Sequence, residues 1–262
     1  QDHLHLYQSD QEAPVIQMIV DCVTDCAGGV MKYRLVAADA ADFPVWTAWA
    51  HLDIVVAPEF LRQYSLCGDP ADRSCYEIAV LIEPEGRGGS KLMHRIFEQG
   101  RRVFVSKPIN HFGLETQSNL SLLFGGGIGV TPMIAFAHEL DHAGRDFKMM
   151  YSASRLDSAA FDGDFAAQPW AAKTSKHYSD QGSRLDIAVA VPPYAPGVHI
   201  YVCGPDAYMS AILGHARAIG YPDAALHAEF FAVPDMLDWV NLPFEIERSN
   251  GQKLAVNADQ SA

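Results

Sequence analysis

In the run LRQYSLC a guanidinium, a phenol and a hydroxyl follow one another as Arg62, Tyr64 and Ser65. On a strand, side chains two apart share a face, so Arg62 and Tyr64 project together. A fixed guanidinium grips a phosphate through paired hydrogen bonds, and an aromatic ring beside backbone amides suits a flat heterocycle. The plainer alternative is an edge strand with a surface arginine. Gly86, Arg87, Gly88, Gly89 and Ser90 precede a short helical stretch whose first free amides and positive dipole end attract anions. Against this stands a glycine turn with a serine cap. The run GGGIGVTP, residues 125–132, leaves an apolar strand and opens a helix with Pro132 in its first turn. It outlines a dinucleotide-pyrophosphate turn without the usual G-x-G-x-x-G spacing, and four glycines in five positions exceed what a tight turn needs. Cys203, Gly204 and Pro205 end the strand-like VHIYV, where open parallel sheets bind ligands; alone, such a triplet is commonly structural.

Metal chemistry is poorly supported. His3 with His5, and His138 with His142 at i, i+4, are possible pairs, but the helical pair brings Glu139 and no third ligand. Cys22 and Cys26 have no second pair to complete four ligands, and the five cysteines form an odd set without repeated spacing. Reduced thiols in a cytoplasm fit best, and the N-terminus lacks the basic-then-apolar pattern of a secretory signal. With 19 Lys plus Arg against 32 Asp plus Glu, the net charge of −13 repels nucleic acid and anionic lipid. No stretch approaches the roughly 18 apolar residues of a membrane span.

These groups need two different scaffolds. From residue 13 to about 112, short β-like runs (PVIQMIVDCV, VMKYRLVAA, AHLDIVVA, CYEIAVLIE, RVFVSKP) predict a small antiparallel barrel interrupted by one short helix over 91–98. From there the rhythm changes to strand and helix in alternation, through NLSLLF, TPMIAFAHELDHAG, FKMMYSAS, HYSD and VHIYVCGP, which predicts a parallel α/β domain. The tail from about 232 predicts a linker and a lone hairpin turning at Ser249, Asn250 and Gly251, marginal by itself.

Taken in order, RQYSLC, GRGGS, GGGIGVTPM, YVCGP and EFF resemble the ferredoxin-NADP reductase superfamily, in particular its phthalate dioxygenase reductase and vanillate demethylase reductase branch. The resemblance covers about residues 14–232. It implies an antiparallel Greek-key flavin-binding β-barrel over 1–113, a parallel-sheet NAD-binding α/β domain over 114–232, and over 233–262 the start of a plant-type ferredoxin domain. The [2Fe-2S] cluster is expected only in the remainder of that domain, since its cysteine ligands are not in these residues.

Residue by residue, the resemblance assigns Arg62, Gln63, Tyr64 and Ser65 to the flavin and its phosphate, Ala79 and Leu81 to the ring, and Gly88, Gly89 and Ser90 to the phosphate. Gly126, Gly127, Cys203, Gly204 and Pro205 would form the nicotinamide channel, with Asp157 near the adenosine. Thr131, Cys203 and Phe231 would act at the reacting centre, Phe231 covering the flavin. FMN is the expected flavin, with FAD the alternative. NADH is the expected donor, with Arg155, Lys176 and Arg184 the cations that would hold a 2′-phosphate instead. The implied function is a reductase that takes hydride from NADH and passes single electrons to a Rieske-type oxygenase. A stand-alone flavin or ferric reductase and a non-catalytic electron-transfer subunit are the alternatives. Three departures stand out: Trp49 occupies a position where relatives usually have a small residue, SKPINHF replaces a more glycine-rich run, and FDGDFAAQPW replaces an expected helix.

Overall fold

The computed structural model describes residues 16–38, 43–58, 60–110, 113, 115 and 118–231, and the backbone of 244–247 and 253–256. His3 and His5, residues 111, 112 and 114 at the expected boundary, and the hairpin turn at 249–251 lie outside the described residues. The chain divides into a unit of residues 1–229 and a unit of residues 230–262.

The first unit holds two sheets. Strands β1 (Ile16–Asp25), β2 (Val30–Ala37), β3 (His51–Ala57), β4 (Phe60–Ser65), β5 (Tyr76–Leu81) and β6 (Arg102–Val105) form an antiparallel sheet in the order β4-β3-β6-β1-β2-β5. A bridge between Leu66 and Ile78 joins the end of β4 to β5, so the sheet's two edges meet and the barrel nearly closes. Alternation builds it: Leu52, Ile54 and Val56 of β3 and Met18 and Val20 of β1 point inward while their neighbours face out. The insertion of β6 between β1 and β3 is the Greek-key crossing that the family resemblance implies. Helix α1 (Gly89–Ile96) sits between β5 and β6, two residues earlier than expected at each end.

Strands β7 (Leu120–Gly126), β8 (Phe147–Ala153), β9 (Thr174–Tyr178), β10 (Val198–Cys203) and β11 (Leu226–Glu229) form a parallel sheet in the order β11-β10-β7-β8-β9. Helices α2 (Val130–His142), α3 (Ile187–Ala190) and α4 (Asp206–Ala218) accompany it. The run Leu122–Phe124 is buried throughout, as expected of a strand covered on both faces. Because the chain steps from β7 outward to β9 and then returns to β10, the order reverses between β7 and β10. Crevices at such switch points bind ligands.

The expected helix-length intervals hold after β7 and β10 only. Between β8 and β9 the chain crosses in three short turns, at 156–158, 165–167 and 171–173. Aromatic burial explains this departure: Phe161, Phe165 and Trp170 are all sequestered, with Phe165 edge-on to Tyr151 at 5.3 Å and 5.6 Å from Trp170. Asp164 ties the crossing to the barrel through Lys32 at 2.8 Å.

In the second unit, β12 (Phe244–Glu247) and β13 (Lys253–Val256) pair antiparallel, Phe244 opposite Val256, as the hairpin pattern of the tail predicts.

Candidate functional site

Strand β4 runs beside β3 with Arg62 opposite Ile54 and Tyr64 opposite Leu52, which leaves Arg62 and Tyr64 half-buried on one face. The Arg62 guanidinium lies against Gly89: a Cβ there would stand 2.6 Å from Nε and 3.0 Å from Cζ. Its Cζ also lies 4.9 Å from the Phe60 ring centroid, and Nη1 donates to the Leu61 carbonyl at 2.8 Å. No side chain caps the first turn of α1, whose preceding residue, Gly88, has φ +94°. Ser90 Oγ accepts the Glu83 amide at 3.1 Å and keeps its own proton to donate. Arg62, the α1 amides and the Ser90 hydroxyl thus stand together as donors around a space closed to any side chain at position 89. Ser65 and Ala79 are buried, Leu81 half-buried, and Gln63 exposed. Burial pushes the Tyr64 phenol up to about 12, so it stays a neutral donor.

The second half sits at the carboxyl ends of β7, β10 and β11, where Cys203 is in register with both Gly125 and Glu229. The two loops leaving β7 and β10 press on each other with almost no space. A Cβ at Gly129 would lie 2.5 Å from the Cys203 carbonyl, one at Gly204 2.9 Å from Gly126 Cα, and one at Gly126 2.9 Å from the Tyr208 ring. At Gly127, with φ +55°, nothing lies within 4 Å. The backbone at Gly127 is therefore open to approach while the loop beneath is fixed. Thr131 is buried in the first turn of α2 and donates to the Ile128 carbonyl at 3.0 Å.

Burial pushes the Cys203 thiol well up, with the Glu229 charge adding to it, so the sulfur is no nucleophile at neutral pH. Burial likewise raises the Glu229 carboxyl to about 7, against an opposing pull from the Trp49 indole. Asp157 is exposed and locked to Arg155, Oδ1 to Nε at 2.8 Å, which holds its carboxyl low. Lys176 is held by Asp162 at 2.7 Å. Phe231, just past β11, is 49% exposed and belongs to the second unit.

Sequence reasoning missed the contributions of Glu229, Tyr208 and Trp49. An acid closing the short strand before two phenylalanines was the available signal for Glu229; Tyr208 and Trp49 are brought to the site by tertiary packing. His138 and His142 do approach a carboxylate, Asp69, at 3.8 and 3.5 Å, but no group of three metal-binding side chains occurs among the described residues. A cavity of about 230 Å³, lined among others by Lys32, Cys67, Asp72, His138 and Trp170, contains none of the residues of the two cradles.

An anion cradle on an antiparallel barrel and a glycine-lined crevice at the switch point of a parallel sheet define a two-domain reductase for a flavin and a pyridine nucleotide. No family model matches the chain. It is 37% identical to a vanillate O-demethylase oxidoreductase of a Pseudomonas species, over 94% of this chain and 79% of that protein. The solved structure of phthalate dioxygenase reductase, described as modular for electron transfer from pyridine nucleotides to [2Fe-2S], superimposes with a TM-score of 0.80 at 28% identity, covering 96% of this chain and 79% of that one. An intact type IV self-sufficient cytochrome P450 monooxygenase contains a similar region, with a TM-score of 0.85 and 32% identity over 94% of this chain and 32% of that one. The chain belongs to the phthalate dioxygenase reductase and vanillate O-demethylase oxidoreductase family of flavoprotein oxidoreductases, within the ferredoxin-NADP reductase superfamily. No helix among the described residues is long and apolar enough to cross a membrane.

Proposed function

We propose that this chain is the reductase component of a Rieske-type oxygenase or demethylase, accepting hydride from NADH and delivering electrons through a [2Fe-2S] centre. The observation that carries the proposal is the pairing of a phosphate-sized cradle, Arg62 against Gly89 at the uncapped end of α1, with the glycine crevice beside Cys203. An FMN held there supplies the conversion of a two-electron donor into one-electron deliveries.

The chain's own residues bind, align and exclude water. Arg62, Gly88, Gly89 and Ser90 hold the flavin phosphate as charge-assisted hydrogen bonds. Tyr64, Ser65, Ala79 and Leu81 line the ring. Gly126, Gly127, Gly204 and Pro205 admit the nicotinamide nucleotide, and aligning the two rings is the main catalytic task left to the protein. Thr131 braces the loop beneath them through Ile128. Cys203 and Glu229 close the inner end of the crevice, Glu229 as a group able to hold a proton near neutral pH. Two of the three cations suited to a 2′-phosphate, Arg155 and Lys176, are already held by Asp157 and Asp162, which favours NADH.

The working halves are the barrel to residue 113 and the parallel sheet over 114–232, with the 244–256 hairpin as the opening of the [2Fe-2S] domain. All five cysteines are free thiols, in keeping with a cytoplasmic protein. The P450-linked relative favours a second reading in which the final acceptor is a haem oxygenase.

The test supplies FMN-loaded chain with NADH and, without oxygen, a plant-type [2Fe-2S] ferredoxin in trans. Reduction of the ferredoxin supports the proposal. Reduction of ferricyanide with the cluster left oxidised would replace it with a stand-alone flavin or ferric reductase.

A further inference from the structure

Trp49 holds a backbone conformation that bulky residues avoid. Its φ is +75°, a left-handed value that strains a residue with a large side chain. The turn is fixed from two directions. Glu139 of α2 accepts the Ala48 amide at 2.6 Å, and Asn110 donates to the Ala48 carbonyl at 2.9 Å and to Thr47 Oγ1 at 2.7 Å. What this arrangement presents is an indole, 1% exposed, perpendicular to Phe136 at 5.0 Å and 5.8 Å from Tyr201.

Tyr201 and Cys203 share a face of β10 by the two-residue period, and Cys203 is in register with Glu229. The indole is therefore seated on the sheet face that ends at the Cys203–Glu229 pair. Filling the space alone would call for phenylalanine or leucine, since burying an indole N–H requires an acceptor. Glu229 Oε2 is out of contact with solvent and lacks a well-formed hydrogen bond among the described residues. The Trp49 side chain bears on that carboxyl as a donor and favours its ionised form.

We propose that Trp49 is a positioning residue: the strained 47–50 turn aims its indole N–H at Glu229 and so sets the orientation and charge of this half-buried carboxyl at the inner end of the nicotinamide crevice. The proposal rests on the reading of that crevice given above. The groups facing Glu229 are the Trp49 indole and the Cys203 thiol across the register, and His227, two residues back on β11, is turned instead to Tyr201 and to His199 at 3.1 Å. The Trp49 clamp thus joins α2 of the nucleotide half, through Glu139, to a barrel turn and to the acid of the reacting centre.

The test needs no hydride transfer. In the full chain, the indole N–H resonance of Trp49, assigned by its loss in Trp49→Phe, should shift on pH titration with a midpoint near 7. The shift should vanish in Glu229→Gln while the resonance itself remains. A Trp49 resonance that does not titrate, or that titrates unchanged in Glu229→Gln, overturns the proposal. If Trp49→Phe folds, the pH profile of flavin reduction by NADH should move its midpoint up by about half to one unit, because the ionised carboxyl has lost a donor. An unmoved midpoint with only a lower rate at every pH would mean that the indole merely fills space. The resonance test and the profile are separable from the function itself: a chain that never oxidises NADH but shows the coupled titration refutes the crevice's role and keeps the Trp49–Glu229 link.

Discussion

Replacing Gly89 by alanine adds one methyl carbon where the Arg62 guanidinium now rests. That carbon would stand 2.6 Å from Nε and 3.0 Å from Cζ and Nη2, all at the far end of a flexible side chain. The guanidinium moves away rather than the helix, so the fold is kept and the cradle is lost. One charged hydrogen-bond partner to a phosphate contributes about 1.5–3 kcal/mol, so FMN should bind roughly 10- to 150-fold more weakly. Riboflavin has the same ring and no phosphate, and its weaker affinity should be the same for both proteins. Fluorescence quenching of each flavin by apoprotein measures both constants. Unchanged FMN binding, or equal losses for FMN and riboflavin, would refute the assignment of a phosphate to this cradle.

Gly129→Ala faces backbone atoms, with its Cβ 2.5 Å from the Cys203 carbonyl, so overpacking should cost about 1–3 kcal/mol; thermal unfolding should show a lowered Tm, and NADH saturation a raised KM. Asp157→Asn releases Arg155 from its paired hydrogen bonds, and the ratio of kcat/KM for NADH over NADPH should fall by about tenfold, measured with ferricyanide as acceptor. Glu229 has its folded value raised from 4.5 to about 7, so between those pH values the native state binds more protons than the unfolded chain. Its stability contribution is complete below about 4.5 and declines as pH rises to about 7. Glu229→Gln should therefore gain up to about 3 kcal/mol over the parent at pH 8 and little at pH 4, by urea unfolding at the two values.

The two-sheet architecture was legible because its signals are local. Alternating apolar residues in β1, β2 and β3 announce a half-buried antiparallel sheet, and the continuous Leu122–Phe124 run followed by glycines announces a parallel strand entering a ligand turn. The close approaches at Gly89 and Gly126 were legible for the same reason, since both positions need their glycines. The crossing at 156–173 was legible only as a break in the expected helix: nothing in FDGDFAAQPW marks that Phe165 packs against Tyr151 and Trp170 against His138. Trp49 stood out only as a large residue at a small position, and Tyr208 not at all, because the contacts of both come from residues more than 50 positions away. The cations at 155 and 176 read as free from sequence, whereas Asp157, two residues on, holds Arg155 and Asp162, from the crossing before β9, holds Lys176.

In the proposed function a phosphorylated flavin on the barrel meets a pyridine nucleotide at the switch point of the sheet. Anaerobic rapid mixing of the FMN-loaded chain with NADH tests it most directly. Loss of the visible flavin absorbance in step with NADH oxidation is the predicted result; flavin that stays yellow with NADH in excess would contradict it.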